Sequence, residues 1–340
     1  MSVTDFCFGF RIAGGVHCER KRVHAATAFD AYRLCDPRAR IDEESYLSAF
    51  DFDHAFQDHL SRTGTTRGFS GSTWSPYIWF DIDREASAGG IEQALTDTRR
   101  LVDVLVEHHA VPLESLLSFF SGSKGFHLGC PTAFWRPTGS VAFHRTSRSF
   151  AEGIAQVANI VIDVSIYDRV RAFRAPNSRH GKTRLHKRFL PPEQLGTLTI
   201  DDIVELARTP GRFQLPDIVN QEAIPSLAAA WEVAELAVAA QDAAVALRQE
   251  QVAGDSGASK LNRITMEIIR GEPITVGDRH RLIYSAARNL AEAGATLQLT
   301  QELLVEPARN AGLPPRDVER QIRCGFSDGA PPTGSGEALP

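Results

Sequence analysis

The segment Tyr77-Ile78-Trp79-Phe80-Asp81-Ile82-Asp83 constrains this chain more than any other. Two aspartates stand at alternate positions inside an apolar, aromatic run. A period of two predicts a strand, with Ile78, Phe80 and Ile82 on one face and Trp79, Asp81 and Asp83 on the other. The two carboxylates then lie roughly 6–7 Å apart along the strand, at about 3.3 Å per residue. Ionised side by side they repel. A hard divalent cation such as Mg²⁺ or Mn²⁺ is the natural counter-charge for such an all-oxygen pair. A strand end with two solvated aspartates fits the same pattern, so other segments must decide.

With 340 residues and 43% hydrophobic content, the chain can build one large or two ordinary domains. Its formal net charge of −5 argues against a generally basic nucleic-acid coat protein. The charge is uneven, however: Arg169 to Arg188 holds eight Lys/Arg and no Asp/Glu, which points to a local anion site. Cys7, Cys18, Cys35, Cys130 and Cys324 form no C-x-x-C pair, as expected of reduced thiols in a cytoplasmic protein, of nucleoid or host cytoplasm. Cys7, His17, Cys18, His24 and Cys35 match no usual zinc-knuckle spacing, so no structural zinc is expected. The N-terminus has no signal-peptide pattern, and no apolar run approaches the ~20 residues of a membrane span. No membrane partner is expected.

The fold class expected is α+β. Tyr77–Asp83 reads as a strand and Ile91 to about His109 as an amphipathic helix. Leu116–Phe120 and Phe126–Cys130 read as strands of a hairpin around the turn Ser121–Gly125. A helix near Ser147–Ala158 leads to the apolar run Ile160-Val161-Ile162-Asp163-Val164, read as another central strand bearing one aspartate. Composition changes near Pro210–Pro225. Helices are expected over Leu227–Val252, Lys260–Ile269, Arg279–Ala293, Leu299–Ala311 and Pro315–Cys324, with a linker at Gly254–Ser259. The resulting domains are 1–215, a catalytic unit; 216–326, all helical; and 327–340, a flexible tail.

Two further motifs carry chemistry. Ser121-Gly122-Ser123-Lys124-Gly125-Phe126-His127 can cradle an oxyanion: glycines admit a close backbone approach, hydroxyls and N–H groups donate, and Lys124 supplies charge. An ordinary turn with a hydrogen-bonded histidine gives the same string. Asp163 opens the other motif. A lone carboxylate in an apolar strand is costly unless paired or metal-bound. Downstream, Arg171, Arg174, Asn177, Ser178, His180 and Lys182 form a basic arm suited to triphosphate oxygens, or a solvated loop. Two carboxylates, a phosphate cradle, a third carboxylate and a basic arm together fit two-metal nucleotidyl transfer.

The order of these motifs resembles the archaeo-eukaryotic primase superfamily, in particular the primase-polymerases of phages and plasmids. The resemblance is carried by Phe80-Asp81-Ile82-Asp83, Ser121 to His127, Ile162-Asp163, Phe173-Arg174 and His180-x-Lys182. It covers about Ile78 to Lys187, with a weaker match from Gly277 to Ile322 to the helical domain of such primases. It implies an RRM-like catalytic core with an N-terminal α/β unit, followed by an all-helical C-terminal domain. Asp81, Asp83 and Asp163 would hold two Mg²⁺ or Mn²⁺ ions. Ser121, Ser123, Lys124, His127, Arg171, Arg174, Ser178, His180 and Lys182 would contact the incoming nucleotide. The partners implied are a single-stranded DNA template, NTP or dNTP, and a replicative helicase fused or in trans. The chain has no Walker motif of its own. An extension or repair polymerase that does not start primers, and a non-catalytic nucleic-acid-binding replication protein, are the alternatives.

Overall fold

The computed structural model describes residues 5–218, 221–254, 261–272, 274 and 277–329. The expected linker at 254–259 falls, from residue 255, outside the described residues, as does the expected tail from residue 330 onward. The chain is mixed α+β with a helical C-terminal region, and it divides into two compact units, 1–238 and 239–340.

In the first unit, β1 (Phe8–Ala13), β2 (Lys21–His24), helix α1 (Ala25–Arg33), β3 (Ser45–Ser48), β4 (Asp51–Phe52), helix α2 (His54–Thr63) and β5 (Thr73–Trp74) come first. Then follow β6 (Tyr77–Asp83), α3 (Gly90–Asp103), β7 (Leu117–Phe120), β8 (Gly125–Pro131), α4 (Phe143–Val157), β9 (Ala172–Arg174) and β10 (Arg188–Leu190). Short helices α5 (Pro192–Leu195) and α6 (Ile200–Leu206) lead to the long α7 (Pro225–Gly254). Two antiparallel sheets result. One runs β5-β4-β1-β3-β9, with β2 also on β1; the other runs β10-β7-β8-β6.

β6 alternates as its sequence demands: Ile78, Phe80 and Ile82 are buried, while Trp79, Asp81 and Asp83 are partly exposed on the other face. The apolar face packs on α3 through Ala94, Leu95, Leu101 and Val102, and on α4 through Phe150, Ala151 and Ile154. That helical layer removes one side of the sheet from water and is the main hydrophobic core of the unit. Leu227, Trp231 and Ala234 of α7 complete it, with the Trp231 ring against Trp135, Phe143 and Phe150. The opposite sheet face meets β9, where Phe173 packs on Trp79 and stacks on His127. The cleft between the two sheets is therefore walled by the face that carries the aspartates.

The run Ile160–Val164 departs from the strand read in the sequence. It pairs with no strand, and Val161 is 71% exposed. One backbone bond, Asp163 N–H to the Asp81 carbonyl at 2.8 Å, ties it to the edge of β6. The chain then turns into a 3₁₀ turn over Val164–Tyr167 that Asp163 caps. Ile162 is buried in the core and Ile160 and Val164 pack partly against it, so the apolar composition reflects an irregular segment lying along the core rather than a buried strand.

The second unit contains α8 (Arg263–Ile269), α9 (Arg279–Glu292), α10 (Leu297–Asn310) and α11 (Pro315–Gly329). Ile268, Ile283, Leu290, Leu304, Val318 and Ile322 form its core. Among the described residues no helix is long and apolar enough to cross a membrane.

Candidate active site

The β6–β8 register assembles the site. Asp81 stands opposite His127 and Asp83 opposite Gly125, so these residues share the cleft-facing side of the sheet. Gly125 is required by this approach: a Cβ there would sit 2.1 Å from Asp83 Oδ1. Gly122, in the turn between β7 and β8, has φ +86°, which side-chain-bearing residues seldom adopt. The Ser121–Lys124 turn can therefore fold tightly over the carboxylates.

A cavity of about 190 Å³ opens above these residues. Asp81, Asp83, Ser121, Ser123, Lys124, His127, Arg171, Arg174 and His180 all line it, together with Tyr46 and Phe173. Three residues expected in the site lie outside this lining. Ser178 is fully buried, and its hydroxyl donates to the Ser45 and Ala175 carbonyls at 3.1 and 2.8 Å. Lys182 is exposed on the loop beyond His180. Asp163 is also exposed, and its two carboxylate oxygens accept from Ser165 N and Oγ, each at 2.9 Å.

The carboxylates are electrostatically crowded. Burial, then the neighbouring Asp83 and Asp163, raise the Asp81 carboxyl well above its ordinary range, against the pull of Lys187 and Arg171. Its Oδ1 is buried with no hydrogen-bond partner, and lies 3.5 Å from His127 Nε2. Burial also raises Asp83, opposed by Lys124, whose Nζ is 3.7 Å from Asp83 Oδ2 and also bonds Glu85. Lys124 is thus the nearest positive charge to Asp83. An orphaned carboxylate oxygen and an all-oxygen donor set fit a hard divalent cation. Among the described residues, however, no three His, Cys, Asp or Glu side chains are gathered as a ready ion-binding set. The engagement of Asp163 with Ser165 accounts for that: its carboxylate would have to turn to join the other two.

The opposite wall is cationic and aromatic. Arg174 lies over the Tyr46 ring and reaches Glu44 Oε1 and the Tyr46 hydroxyl at 3.4 and 3.3 Å, while its buried Nη1 has no partner. His180 Nδ1 accepts from the backbone N–H groups of Lys182 and Thr183, both at 3.2 Å, which leaves the ring proton on Nε2 as a donor. Burial, then Lys187 and Arg174, hold His127 well below its usual range, so the ring is neutral. An anion with several oxygens would find free donors on this wall and cations around it.

Sequence reasoning missed three residues. Lys187 is fully buried: its Nζ donates to the Arg174 carbonyl at 2.9 Å and sits among the rings of Phe173, Phe119 and Trp79 at 4.2, 4.9 and 5.3 Å. Burial pushes its ammonium well below the ordinary lysine range. The basic run ending at Arg188 was a signal, but nothing in it distinguishes Lys187 from the surface lysines. Glu44 and Tyr46 carry no sequence signal at all, because only the β3–β9 pairing, with Tyr46 opposite Arg174, brings them to the site.

No family model matches the chain, and no curated protein matches it. A solved structure described as "Crystal structure of primase RepB'" aligns with 94% of this chain and 92% of that chain, at a TM-score of 0.36 and 11% identity. At that level of likeness neither a shared fold nor a shared chemistry follows.

Proposed function

We propose that the protein is a template-directed nucleotidyltransferase of the primase-polymerase kind, with an RRM-like core, acting on single-stranded DNA with NTP or dNTP. The observation that carries this reading is the single cavity in which Asp81 and Asp83 face His127, Arg171, Arg174 and His180 across the turn that holds Lys124. Carboxylates at one end and oxyanion donors at the other are what transfer of a nucleotidyl group from a triphosphate requires.

Asp81 and Asp83, with Asp163 turned away from Ser165, would hold two Mg²⁺ or Mn²⁺ ions. When bound, such ions make a 3′-hydroxyl nucleophilic and neutralise charge on departing pyrophosphate. The chain's own part is positioning. The Ser121 and Ser123 hydroxyls and the turn's N–H groups receive phosphate oxygens, as does the free Nη1 of Arg174. Lys124 exchanges Glu85 for phosphate. Neutral His127, held by the Phe173 ring, donates a hydrogen bond without competing for the ions.

Nucleotide incorporation on single-stranded DNA, with and without an annealed primer, tests the reading. Template-dependent product from both substrates is expected of a primase-polymerase. Product only with the primer assigns an extension polymerase, and none with either, in the presence of Mg²⁺ or Mn²⁺, rejects the assignment.

A further inference from the structure

A second cavity, of about 350 Å³, lies in the same inter-sheet cleft and shares Phe173 and Arg174 with the first. Its walls are mainly apolar and aromatic, with Phe10, Phe29, Leu47, Tyr77 and Trp79 prominent. Two carboxyl groups stand among them: Asp30, which is ion-paired with Arg33 at 2.5 Å, and Asp51. β4 explains the second: Phe52 turns into the aromatic cluster with Phe10 and Phe56, which sends Asp51 to the cleft side. No described residue donates a hydrogen bond or presents an ion pair to the Asp51 side chain. Asp51 is partly buried, so its carboxyl meets the interior of the cavity rather than a protein partner.

We propose that this cavity is a binding site for a nucleobase-like heteroaromatic ring, oriented by paired hydrogen bonds between the ring's donor–acceptor edge and the Asp51 side chain. Aromatic walls with a few polar groups fixing orientation are the usual composition of a small-molecule pocket, and the volume is at the small end of the ~300–1,000 Å³ range. It suits one ring system and its sugar, not a strand. Flat aromatic side chains favour a flat ligand. The Arg174 guanidinium in the same lining disfavours a cationic amine, which an acidic residue would otherwise attract. Burial pushes the Asp51 carboxyl up to about 8, so near neutral pH it offers both an O–H donor and a carbonyl acceptor. The site adjoins the proposed catalytic cavity but does not depend on that assignment.

Nucleosides separate the two, because they lack the phosphates that the Ser121–His127 turn would hold. Calorimetric titration of the full chain with adenosine, guanosine, cytidine and uridine is expected to show binding of at least one, in the millimolar range or tighter. Asp51→Asn keeps a donor and an acceptor and should hold affinity within about threefold. Asp51→Leu keeps the volume and removes both, and should lower affinity at least about tenfold, as expected for lost hydrogen bonds in a dry pocket. Ala26→Trp, at an exposed position of α1 on the cavity rim, should block entry without touching the core. Two results would each overturn the proposal: no nucleoside bound by the native protein, or unchanged binding by both Asp51→Leu and Ala26→Trp. Loss in Asp51→Asn equal to that in Asp51→Leu would also refute the donor–acceptor pairing. Nucleotide incorporation, measured separately, reports on the catalytic cavity alone.

Discussion

Replacing Asp51 by asparagine should stabilise the protein in a pH-dependent way that is calculable from its surroundings. Burial raises this carboxyl from 3.8 to about 8 in the folded chain. Between those values the folded state keeps the proton and the unfolded state releases it, so stability falls as pH rises. The contribution of Asp51 is fully present below pH 3.8 and lost by about pH 8. Each pH unit in that window is worth about 1.4 kcal/mol. Asp51→Asn does not titrate, so it should match the native protein near pH 4 and exceed it by about 4 kcal/mol at pH 7. Asp30, Tyr77, Arg174 and Lys187 face the same cavity, but they are common to both proteins and cancel in the difference. Urea unfolding followed by tryptophan fluorescence at pH 4, 5.5, 7 and 8.5 measures the gap. A gap that stays constant across this range, or closes as pH rises, would show that Asp51 is solvated or paired and sink the reasoning.

Other outcomes are expected at the carboxylate site. Asp81→Ala, Asp83→Ala and Asp163→Ala should each abolish nucleotide incorporation with far-UV circular dichroism unchanged; near-native incorporation by any one removes that residue from the site. His127→Ala and Arg174→Ala should weaken nucleotide binding by roughly ten- to a hundredfold, about 1.5–3 kcal/mol for a charge-assisted contact, whereas Lys182→Ala, outside the cavity, should change it less than about threefold; equal losses in calorimetry would place Lys182 on the ligand. Ser178→Ala should cost about 0.5–1.5 kcal/mol of stability, because the buried hydroxyl bonds are lost while the Ser45 and Ala175 carbonyls keep their backbone donors, and nucleotide affinity should stay unchanged; the reverse pattern would make Ser178 a ligand contact. A chain ending near Asn220 should unfold or aggregate, since it lacks Leu227 and Trp231, whereas one ending after Val238 should melt cooperatively; a cooperative melt of the shorter form would show those side chains dispensable.

Elements held together by local patterning were legible in the sequence. Tyr77–Asp83 is a strand over the residues its alternation marks, and the hairpin around Ser121–Lys124 follows from a glycine turn between apolar runs. Most of the first sheet was not legible. β4 and β5 are two residues each, and β3 finds its partner β9 more than a hundred residues away, so neither period nor composition marks them. Ile160–Val164 misled because an apolar run reads the same whether it crosses a sheet or lies unpaired along the core through Ile160, Ile162 and Val164. At the site, residue type identified Asp81, Asp83, Lys124 and His127 as cavity residues, because the turn and strand fix their direction. Type could not separate Arg174, which ends the three-residue β9 and lines the cavity, from Ser178, four positions on and buried, since so short a strand and the loop after it offer no period from which to read direction. Lys187 was hidden for the opposite reason: lysine is expected at surfaces, and only three converging rings reveal it inside.

Pairing between β6 and β8 gives the turn that precedes β8 a property independent of its chemistry: its residue count must keep its parity. Side chains on β8 alternate, so His127 reaches the cleft and Phe126 the core only in one register. Deleting a single residue between Phe120 and Gly125 would offer the strand a one-step slip, with Leu128 brought opposite Asp81 and His127 opposite Ile82, turned toward α3. An insertion of two residues preserves which way every side chain faces. Across divergent versions of such a chain, substitutions within the turn are therefore more tolerable than odd changes in its length, and lengths there should differ by even numbers.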